Sequence, residues 1–300
     1  MFRKIYIILM LLSFSVQAQT PKYFVDKTGV YLADYNTQEL TKMFEELYYD
    51  QYINLPDEEY PRIFVKNIPS DFALIEDQTK RNRIFMQILI PLALKINEEI
   101  LEEREIVEAL EYDFETNKDF DEADIYYIEE LAKKYDETTP FKDTRRYMKL
   151  LSGLKKKVDA IPPSILVAAA AIRTNWGTSR IAIKANNLYK MRVWFTQEGL
   201  EPVEDKEDGY KYKVYPSLEA SIRDYALKIN SNVNYGSFRD KRAISRHRGS
   251  LLFGKRMDWG MVLDSNLQNY GGLLDYTLTY YKLYHIDMAK LEEEYNFEEE

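Results

Sequence analysis

The chain has 300 residues, 45% of them hydrophobic, which is enough for one or two domains with a substantial buried core. Its formal net charge of −9 disfavours a nucleic-acid-binding protein. It contains no cysteine, so disulfide bonds, thiol catalysis and a lipid-modified cysteine are excluded.

Residues 1–18 have the pattern of a secretory signal peptide. Arg3 and Lys4 precede an apolar run from Ile5 to Phe14, and Val16-Gln17-Ala18 is a small-residue cleavage site. The apolar run is shorter than the roughly 20 residues of a spanning helix, so no stable membrane span is expected. We predict cleavage after Ala18 and a protein that is periplasmic or secreted.

Residues 19–160 are predicted to form a helical extension that packs on the following domain. Helical periodicity recurs in four segments, at 38–49, 77–111, 121–135 and 143–158, and residues 62–68 are extended. In the second segment apolar residues recur from Ile84 to Ile100, and Pro91 is expected to kink or split the helix. Its acidic residues from Glu98 to Glu103 are interpreted as a solvated face.

Residues 161–195 contain the features around which the chain is organised. Pro162 and Pro163 suit a first helical turn, and the alanines at 168–171 predict a closely packed central helix over 164–174. Gly177 ends this helix. Thr178 then caps a short second helix, and a β-prone run follows over 188–195.

These residues resemble the bacterial endo-β-N-acetylglucosaminidases that cut peptidoglycan, and particularly their Bax-like branch. The family pattern P-P-S-x-x-x-A-x-A-A-x-E-S-x-W-G-x-S-R-x-A, then N-N-L-F-G, is matched at Pro162, Pro163, Ser164, Ala168, Ala170, Ala171, Trp176, Gly177, Ser179, Arg180, Ala182, Asn186, Asn187 and Leu188. The helical extension also resembles this branch, at Phe85, Pro91, Asn97, Ile100 and Arg104. The resemblance implies an α+β, mainly α fold: a lysozyme-like domain over 161–286 with a small β-hairpin lobe.

Three positions depart from the family pattern. The glutamate that acts as general acid falls on Arg173, and the glycine of N-N-L-F-G is Lys190. A later Y-S-E-R-G pattern appears as Tyr270-Gly271-Gly272, without its acid. Because a guanidinium stays protonated, Arg173 cannot give a proton to a leaving group. The resemblance therefore implies impaired catalysis, unless a carboxylate of the 198–209 loop replaces the acid, through Glu201, Glu204 or Asp205.

The resemblance also implies a set of substrate-binding residues, which are Trp176, Ser179, Asn186, Asn187, Tyr189, Trp194 and Tyr270. Aromatic faces and amides are the groups that contact acetamido sugars. The alternative is structural, since the same residues can hold the corner between the helix and the hairpin. His247 and His285 lack metal-ligand spacing, so neither a metal nor another cofactor is expected.

After the hairpin, residues 210–215 alternate as a strand, and Ser217 caps a helix that runs to about residue 230. Closing helices are predicted at 258–269 and 272–284, and the tyrosines of the second are interpreted as packing residues. The basic segment 239–256 is interpreted as a solvated face, with contact to an anionic wall polymer as the alternative. The acidic residues 287–300 are interpreted as a solvated or frayed tail.

Three functions remain open from the sequence. The first is an exported, catalytically impaired family member that binds peptidoglycan glycan strands or regulates wall hydrolysis. The second is an active endo-β-N-acetylglucosaminidase that uses a carboxylate of the 198–209 loop. The third is a scaffold that holds another protein, for example one of the cell wall.

Overall fold

The computed structural model describes residues 23–49, 59–117, 119–143, 145–194, 197–203, 209–258, 260–261 and 269–294. In these residues the α-helices are α1 (Thr37–Glu46), α2 (Gln78–Asn117), α3 (Glu122–Lys134), α4 (Arg145–Lys157), α5 (Pro163–Thr174), α6 (Arg180–Ala185), α7 (Leu218–Ser231), α8 (Gly236–His247), α9 (Gly254–Met257) and α10 (Tyr270–Tyr280). The strands are β1 (Tyr23–Asp26), β2 (Gly29–Leu32), β3 (Glu59–Tyr60), β4 (Ile63–Val65), β5 (Arg192–Trp194), β6 (Tyr210–Tyr212) and β7 (Lys290–Leu291). The predicted α+β, mainly α class is confirmed. The predicted signal peptide lies outside the described residues.

A small sheet at the start of the described chain was not predicted. Strand β1 pairs antiparallel with β2, and β2 pairs parallel with β4. Asp26 stabilises the turn between β1 and β2 by accepting hydrogen bonds from the backbone N–H groups of Thr28 and Gly29. Gly29 has a φ of 155°, and a Cβ there would lie 2.5 Å from the carbonyl oxygen of Arg62. Only a glycine allows β2 and β4 to approach this closely.

Helix α2 runs through Pro91 without a break. Of the two predicted outcomes, the split was therefore wrong, and the kink stays a prediction. Proline has no N–H to donate to the carbonyl four residues earlier, which belongs to Gln87. The buried hydroxyl of Tyr49 donates to that carbonyl at 2.9 Å, and the Gln87 side chain donates to the Tyr49 carbonyl at 3.2 Å. The bond that proline removes is thus replaced from outside the helix.

The apolar face of α2 packs against α5 and α7, and α4 packs against α2. Residues from Val30 to Leu291 join in one hydrophobic cluster, in which Ile84, Ile88 and Ile96 of α2 are almost fully buried. Helices α3 and α4 agree with two predicted segments, and Asp121 caps α3 by accepting a hydrogen bond from the backbone N–H of Asp124. The division of this part from the next at residue 160 stays a prediction.

Buried arginines join the end of α4 to the start of α5. Arg242 is fully buried and donates to the carbonyl oxygens of residues 156, 157, 159 and 160 and to the Asn230 side chain. Arg239 is also buried and donates to the carbonyls of Ile229 and Asn232. Interpreting the whole segment 239–256 as a solvated face was therefore wrong for these two residues.

The last described residues are packed, which corrects their interpretation as a frayed tail from residue 287. Strand β7 pairs parallel with β3, and Leu291 is buried. The backbone N–H of Glu292 donates to the Tyr60 carbonyl, while the Arg62 Nε donates to the Glu292 carbonyl. An apolar side chain and unpaired backbone groups were available in this acidic segment, and they found partners in β3 and at Arg62, which lies between β3 and β4. Residues 295–300 lie outside the described residues.

The closing part of the chain differs in detail from its prediction. The last helix starts at Tyr270 and ends at Tyr280, and a 3-10 helix follows over Leu283–Met288. The helix predicted at 258–269 lies mostly outside the described residues. Tyr276 and Tyr280 stack on each other at 5.3 Å and are 57% and 65% exposed, so they are not the packing residues we expected. Tyr281 does pack, against Trp176.

Candidate functional site

The candidate site lies at the carboxyl end of α5, where the chain turns sharply. Helix α5 is almost completely buried, as its alanines predicted. Asn175, Trp176 and Gly177 then follow with φ angles of 50°, 57° and 80°. A Cβ on Gly177 would lie 2.7 Å from the Phe85 ring, so α2 leaves room only for glycine. The turn fixes the direction in which the last residues of α5 and the first of α6 point.

Arg173 lies in the last turn of α5, and its guanidinium is surrounded mainly by tyrosines. Its Nη1 donates to the Tyr189 carbonyl at 3.3 Å. The guanidinium carbon lies 5.2 Å from the ring centroid of Tyr270 and 5.9 Å from that of Tyr225, within the range of cation–π attraction. A cation here is also favoured by the dipole of α5.

The charge of Arg173 is stabilised in this position. Burial acts to lower the pKa of the guanidinium, but Tyr225 and Tyr270 act in the opposite direction and leave the pKa above its ordinary value. The group therefore stays a cation at every pH at which the protein is folded. Its role is to hold the end of α5 to the Tyr189 carbonyl and to the two tyrosine rings.

Trp176 and Tyr189 have their side chains in the core. Trp176 is 9% exposed and packs on Tyr281 with ring centroids 4.3 Å apart. Tyr189 stacks on Tyr225 with ring centroids 3.9 Å apart, and its hydroxyl donates to the Leu166 carbonyl at 3.2 Å. Burial raises the pKa of Tyr189 well above its ordinary value. These contacts give both residues a structural role, and their predicted sugar contacts stay a prediction.

Asn187 holds the root of the β5–β6 hairpin. Its Nδ2 donates to the carbonyls of Met191 and Lys213, each at 2.8 Å. Its Oδ1 accepts from the backbone N–H groups of Tyr189 and Met191. All four hydrogen-bonding positions of the amide are therefore used inside the protein.

Asn186 and Ser179 also act on the backbone. Asn186 ends α6 with a φ of 48°, and its Nδ2 donates to the Tyr215 carbonyl. Ser179 accepts from the backbone N–H of Ala182 and caps α6, so the predicted cap at Thr178 was wrong by one residue. The extended φ and ψ of Ser179 suit a cap residue. Sugar contacts by Asn186 and Ser179 stay predictions as well.

The hairpin presents one aromatic and basic face. Arg192 pairs with Tyr212 and Trp194 with Tyr210, so these four side chains lie on the same side of the two strands. Trp194 is 55% exposed, whereas the other predicted binding residues are buried or half-buried. Tyr210 is buried and lies between Arg192 and Trp194, with its ring 3.9 Å from the guanidinium carbon and 6.3 Å from the indole.

Comparison with known proteins identifies the family. Residues 148–270 match the glucosaminidase family, described as mannosyl-glycoprotein endo-beta-N-acetylglucosaminidase. Protein bax of Escherichia coli (strain K12) is 28% identical over 188 residues, which are 62% of this chain and 64% of that protein. Residues 148–270 therefore form a glucosaminidase-family domain within this chain.

The predicted resemblance to the glucosaminidase family and to Bax is thus confirmed. The chain also aligns with the catalytic domain of the autolysin Auto from Listeria monocytogenes, with a TM-score of 0.32 and 18% identity, over 60% of this chain and 87% of that one. The match to Protein bax covers less than two thirds of that relative. That Arg173 occupies the general-acid position stays a prediction.

Of the carboxylates predicted as replacement acids, only Glu201 lies in the described residues. Its side chain is 66% exposed and forms an ion pair with Lys211 at 3.1 Å. Its backbone carbonyl accepts a hydrogen bond from Arg180. Glu201 is thus solvent-exposed beside a lysine, whereas the general acid of a glycosidase lies in apolar surroundings. Glu204 and Asp205 lie outside the described residues.

The two other positions that differ from the family pattern, at Lys190 and after Tyr270, begin in residues that the structure describes. Lys190, at the family's glycine, has a φ of 54° in the left-handed region and is exposed. Tyr270, at the first position of the altered Y-S-E-R-G pattern, is buried and covers Arg173. Lys190 thus adopts a backbone conformation that glycine adopts more readily, and Tyr270 keeps the tyrosine of the pattern.

Sequence reasoning missed Tyr225 and Arg192 as parts of this region. Tyr225 lies in the middle of α7, and no local pattern connects it with α5 or with Tyr189. Arg192 had a usable signal, since it alternates with Trp194 on a β-prone run opposite Tyr210 and Tyr212.

Proposed function

We propose that this glucosaminidase-family protein is exported, binds peptidoglycan glycan strands and does not hydrolyse them. The observation that carries the proposal is the buried guanidinium of Arg173 at the end of α5, held by the Tyr189 carbonyl and by two tyrosine rings. Protein bax of Escherichia coli (strain K12) contributes the family context alone.

Hydrolysis of a glycosidic bond needs a carboxylic acid at the leaving oxygen and, in most families, a second carboxylate. Arg173 cannot serve as that acid, because lowering the pH does not change the charge of a guanidinium. Its strongest electrostatic neighbours are tyrosines, and burial raises the pKa of the nearby Tyr189 further from neutrality. The sequence between Asp159 and Glu198 supplies no carboxylate.

Binding of a glycan is supported by the hairpin. Asn187 clamps its root, and the exposed indole of Trp194 offers an aromatic surface of the kind on which pyranose rings stack. A protein with this arrangement can hold a glycan strand and limit the access of hydrolases to it. No described helix has the length and apolar content needed to cross a membrane.

The test is a pair of measurements on purified cell walls. Wild-type protein should sediment with the walls and release no reducing ends between about pH 4 and 8. Arg173→Glu is the informative variant, since burial raises and neighbouring arginines lower the pKa of a carboxyl at that place. Even weak hydrolysis by Arg173→Glu would show that the region around residue 173 still positions sugar.

Two results would contradict the proposal. Release of reducing ends by the wild type, abolished by Glu201→Gln, Glu204→Gln or Asp205→Asn and unaffected by Arg173→Ala, would establish the active glucosaminidase. Failure of the wild type to sediment with walls would favour the scaffold that holds another protein.

A further inference from the structure

Arg192 is an exposed cation in the hairpin. One face of its planar guanidinium lies on an aromatic ring, and the edges of the guanidinium are uncovered. Its guanidinium carbon lies 3.9 Å from the centroid of the Tyr210 ring. In this stacked contact the N–H groups, which lie in the guanidinium plane, are not consumed. In the described part of the chain, no side chain forms an ion pair with Arg192.

Trp194 is held beside Arg192 by the same tyrosine. The ring of Tyr210 contacts the guanidinium through its face and the indole at an interplanar angle of 71°. Tyr210 is itself fixed, since it is buried and packs edge-on against Tyr212 with ring centroids 5.5 Å apart. The hairpin therefore presents an apolar ring surface and a cation at a fixed, short separation.

The local charge is complementary to an anion, although the whole chain is acidic. The sequence from residue 160 to residue 197 contains no aspartate or glutamate, and it contains the basic residues Arg173, Arg180, Lys184, Lys190 and Arg192. Glu201, on the neighbouring segment, is neutralised by Lys211. The net charge of −9 opposes the approach of an anionic polymer, and residues 160–197 add no carboxylate of their own to that repulsion.

We propose that the hairpin face selects pyranose sugars that carry a carboxylate, with the sugar ring on Trp194 and the carboxylate on Arg192. This inference rests on the proposed glycan binding and adds its specificity. Stacking on the indole is available to any pyranose and sets affinity. The charge-assisted hydrogen bonds from the guanidinium are available only to an anionic substituent and set the preference.

The experiment measures the affinity of the full chain for three soluble glycans of equal length. The first is a neutral oligosaccharide of N-acetylglucosamine, the second carries a carboxylate on alternate sugars, and the third is the second with its carboxylates converted to methylamides. Wild type, Arg192→Gln and Trp194→Ala are compared. Lys184→Gln is the matched control, because it removes one exposed positive charge from α6, outside the hairpin face.

Arg192→Gln should weaken binding of the carboxylate glycan about 10-fold and leave the other two glycans unchanged. Trp194→Ala should weaken binding of all three by a similar factor. Lys184→Gln should weaken binding of the carboxylate glycan by less than about 2-fold, as loss of one exposed charge outside the hairpin face does, and leave the other two glycans unchanged.

Equal affinity of the wild type for the acid and the methylamide glycans overturns this inference and leaves the proposed function in place. An equal loss for all three glycans in Arg192→Gln overturns it too, since the residue would then act only through Tyr210. Absence of binding to every glycan and to whole walls overturns both proposals.

Discussion

At the scale of single residues, Asp287 shows how burial changes a carboxylate. Its oxygens accept hydrogen bonds from the backbone N–H and the hydroxyl of Ser164, at the start of α5, and from the backbone N–H of Gly254. Burial nevertheless dominates and raises the pKa of Asp287 from 3.8 to about 6. The folded protein therefore binds a proton at a pH where the unfolded chain has released it.

The sign of the resulting pH dependence is opposite to that of an ion-paired carboxylate. Between about pH 4 and 6 the folded state holds more protons, so the free energy of unfolding falls as the pH rises. A shift of this size corresponds to about 3 kcal/mol. We predict that the unfolding free energy of wild type, minus that of Asp287→Asn, falls by about this amount from pH 4 to pH 7.

Urea unfolding of both proteins across this range measures the difference. Because other carboxylates, such as Glu99 with its lowered pKa, are present in both proteins, their contributions cancel. A difference that stays constant or grows with pH would show that Asp287 is not the group that carries the effect.

At the scale of secondary-structure elements, the continuity of α2 depends on Tyr49. Its hydroxyl donates to the Gln87 carbonyl, which Pro91 leaves without a helical partner. Tyr49→Phe should cost about 1–3 kcal/mol of unfolding free energy, because it leaves a buried carbonyl without this donor. In the background of Pro91→Ala, where residue 91 regains its N–H, the same change should cost clearly less.

A double-mutant cycle by denaturant unfolding measures this coupling, which we expect to be at least about 0.5 kcal/mol. Tyr126→Phe is the control for loss of a hydroxyl at a surface position, since Tyr126 is 68% exposed on α3, and it should change stability little. Additive effects of Tyr49→Phe and Pro91→Ala would mean that the hydroxyl does not replace the helical bond.

At the scale of the whole molecule, the N-terminal helices and the family domain share their core. Helix α2 packs on α5 and α7, Asn97 bonds both the N–H and the carbonyl of Ile161, and Arg242 bonds the carbonyls at the end of α4. A fragment that begins at Ala160 should therefore aggregate or melt well below the full chain. Size-exclusion chromatography and thermal unfolding measure both properties. A monomeric fragment with the melting temperature of the full chain would show two independent bodies.

Local sequence predicted those parts of the fold that local chemistry decides. The prolines and alanines of α5 and the Ser217 cap of α7 each act within a few residues of chain. The continuity of α2 was missed because the donor to Gln87 comes from Tyr49, far away in the sequence. The strand β7 was missed for the same reason, since its acidic composition says nothing about the distant β3.

At the candidate site, too, the sequence predicted some features, and tertiary contacts determined the others. The placement of Arg173 at the acid position comes from the motif alone, and it stays a prediction. The structural use of Trp176, Asn187 and Tyr189 could not be read there, since it depends on Tyr281, Lys213 and Tyr225. Residue type indicated the chemistry of these side chains, and only the tertiary contacts showed where their hydrogen bonds and rings are directed.

The pairing of β7 with β3 also bears on the order in which the chain is made. A ribosome releases residues 59–60 long before residues 290–291, so β3 waits for its partner through most of synthesis. During that time the core lacks the side chain of Leu291, and the carbonyl of Tyr60 lacks its hydrogen bond from the N–H of Glu292. The nascent chain therefore cannot reach its full stability early. We expect this delay to keep it extended enough for a secretion channel to accept.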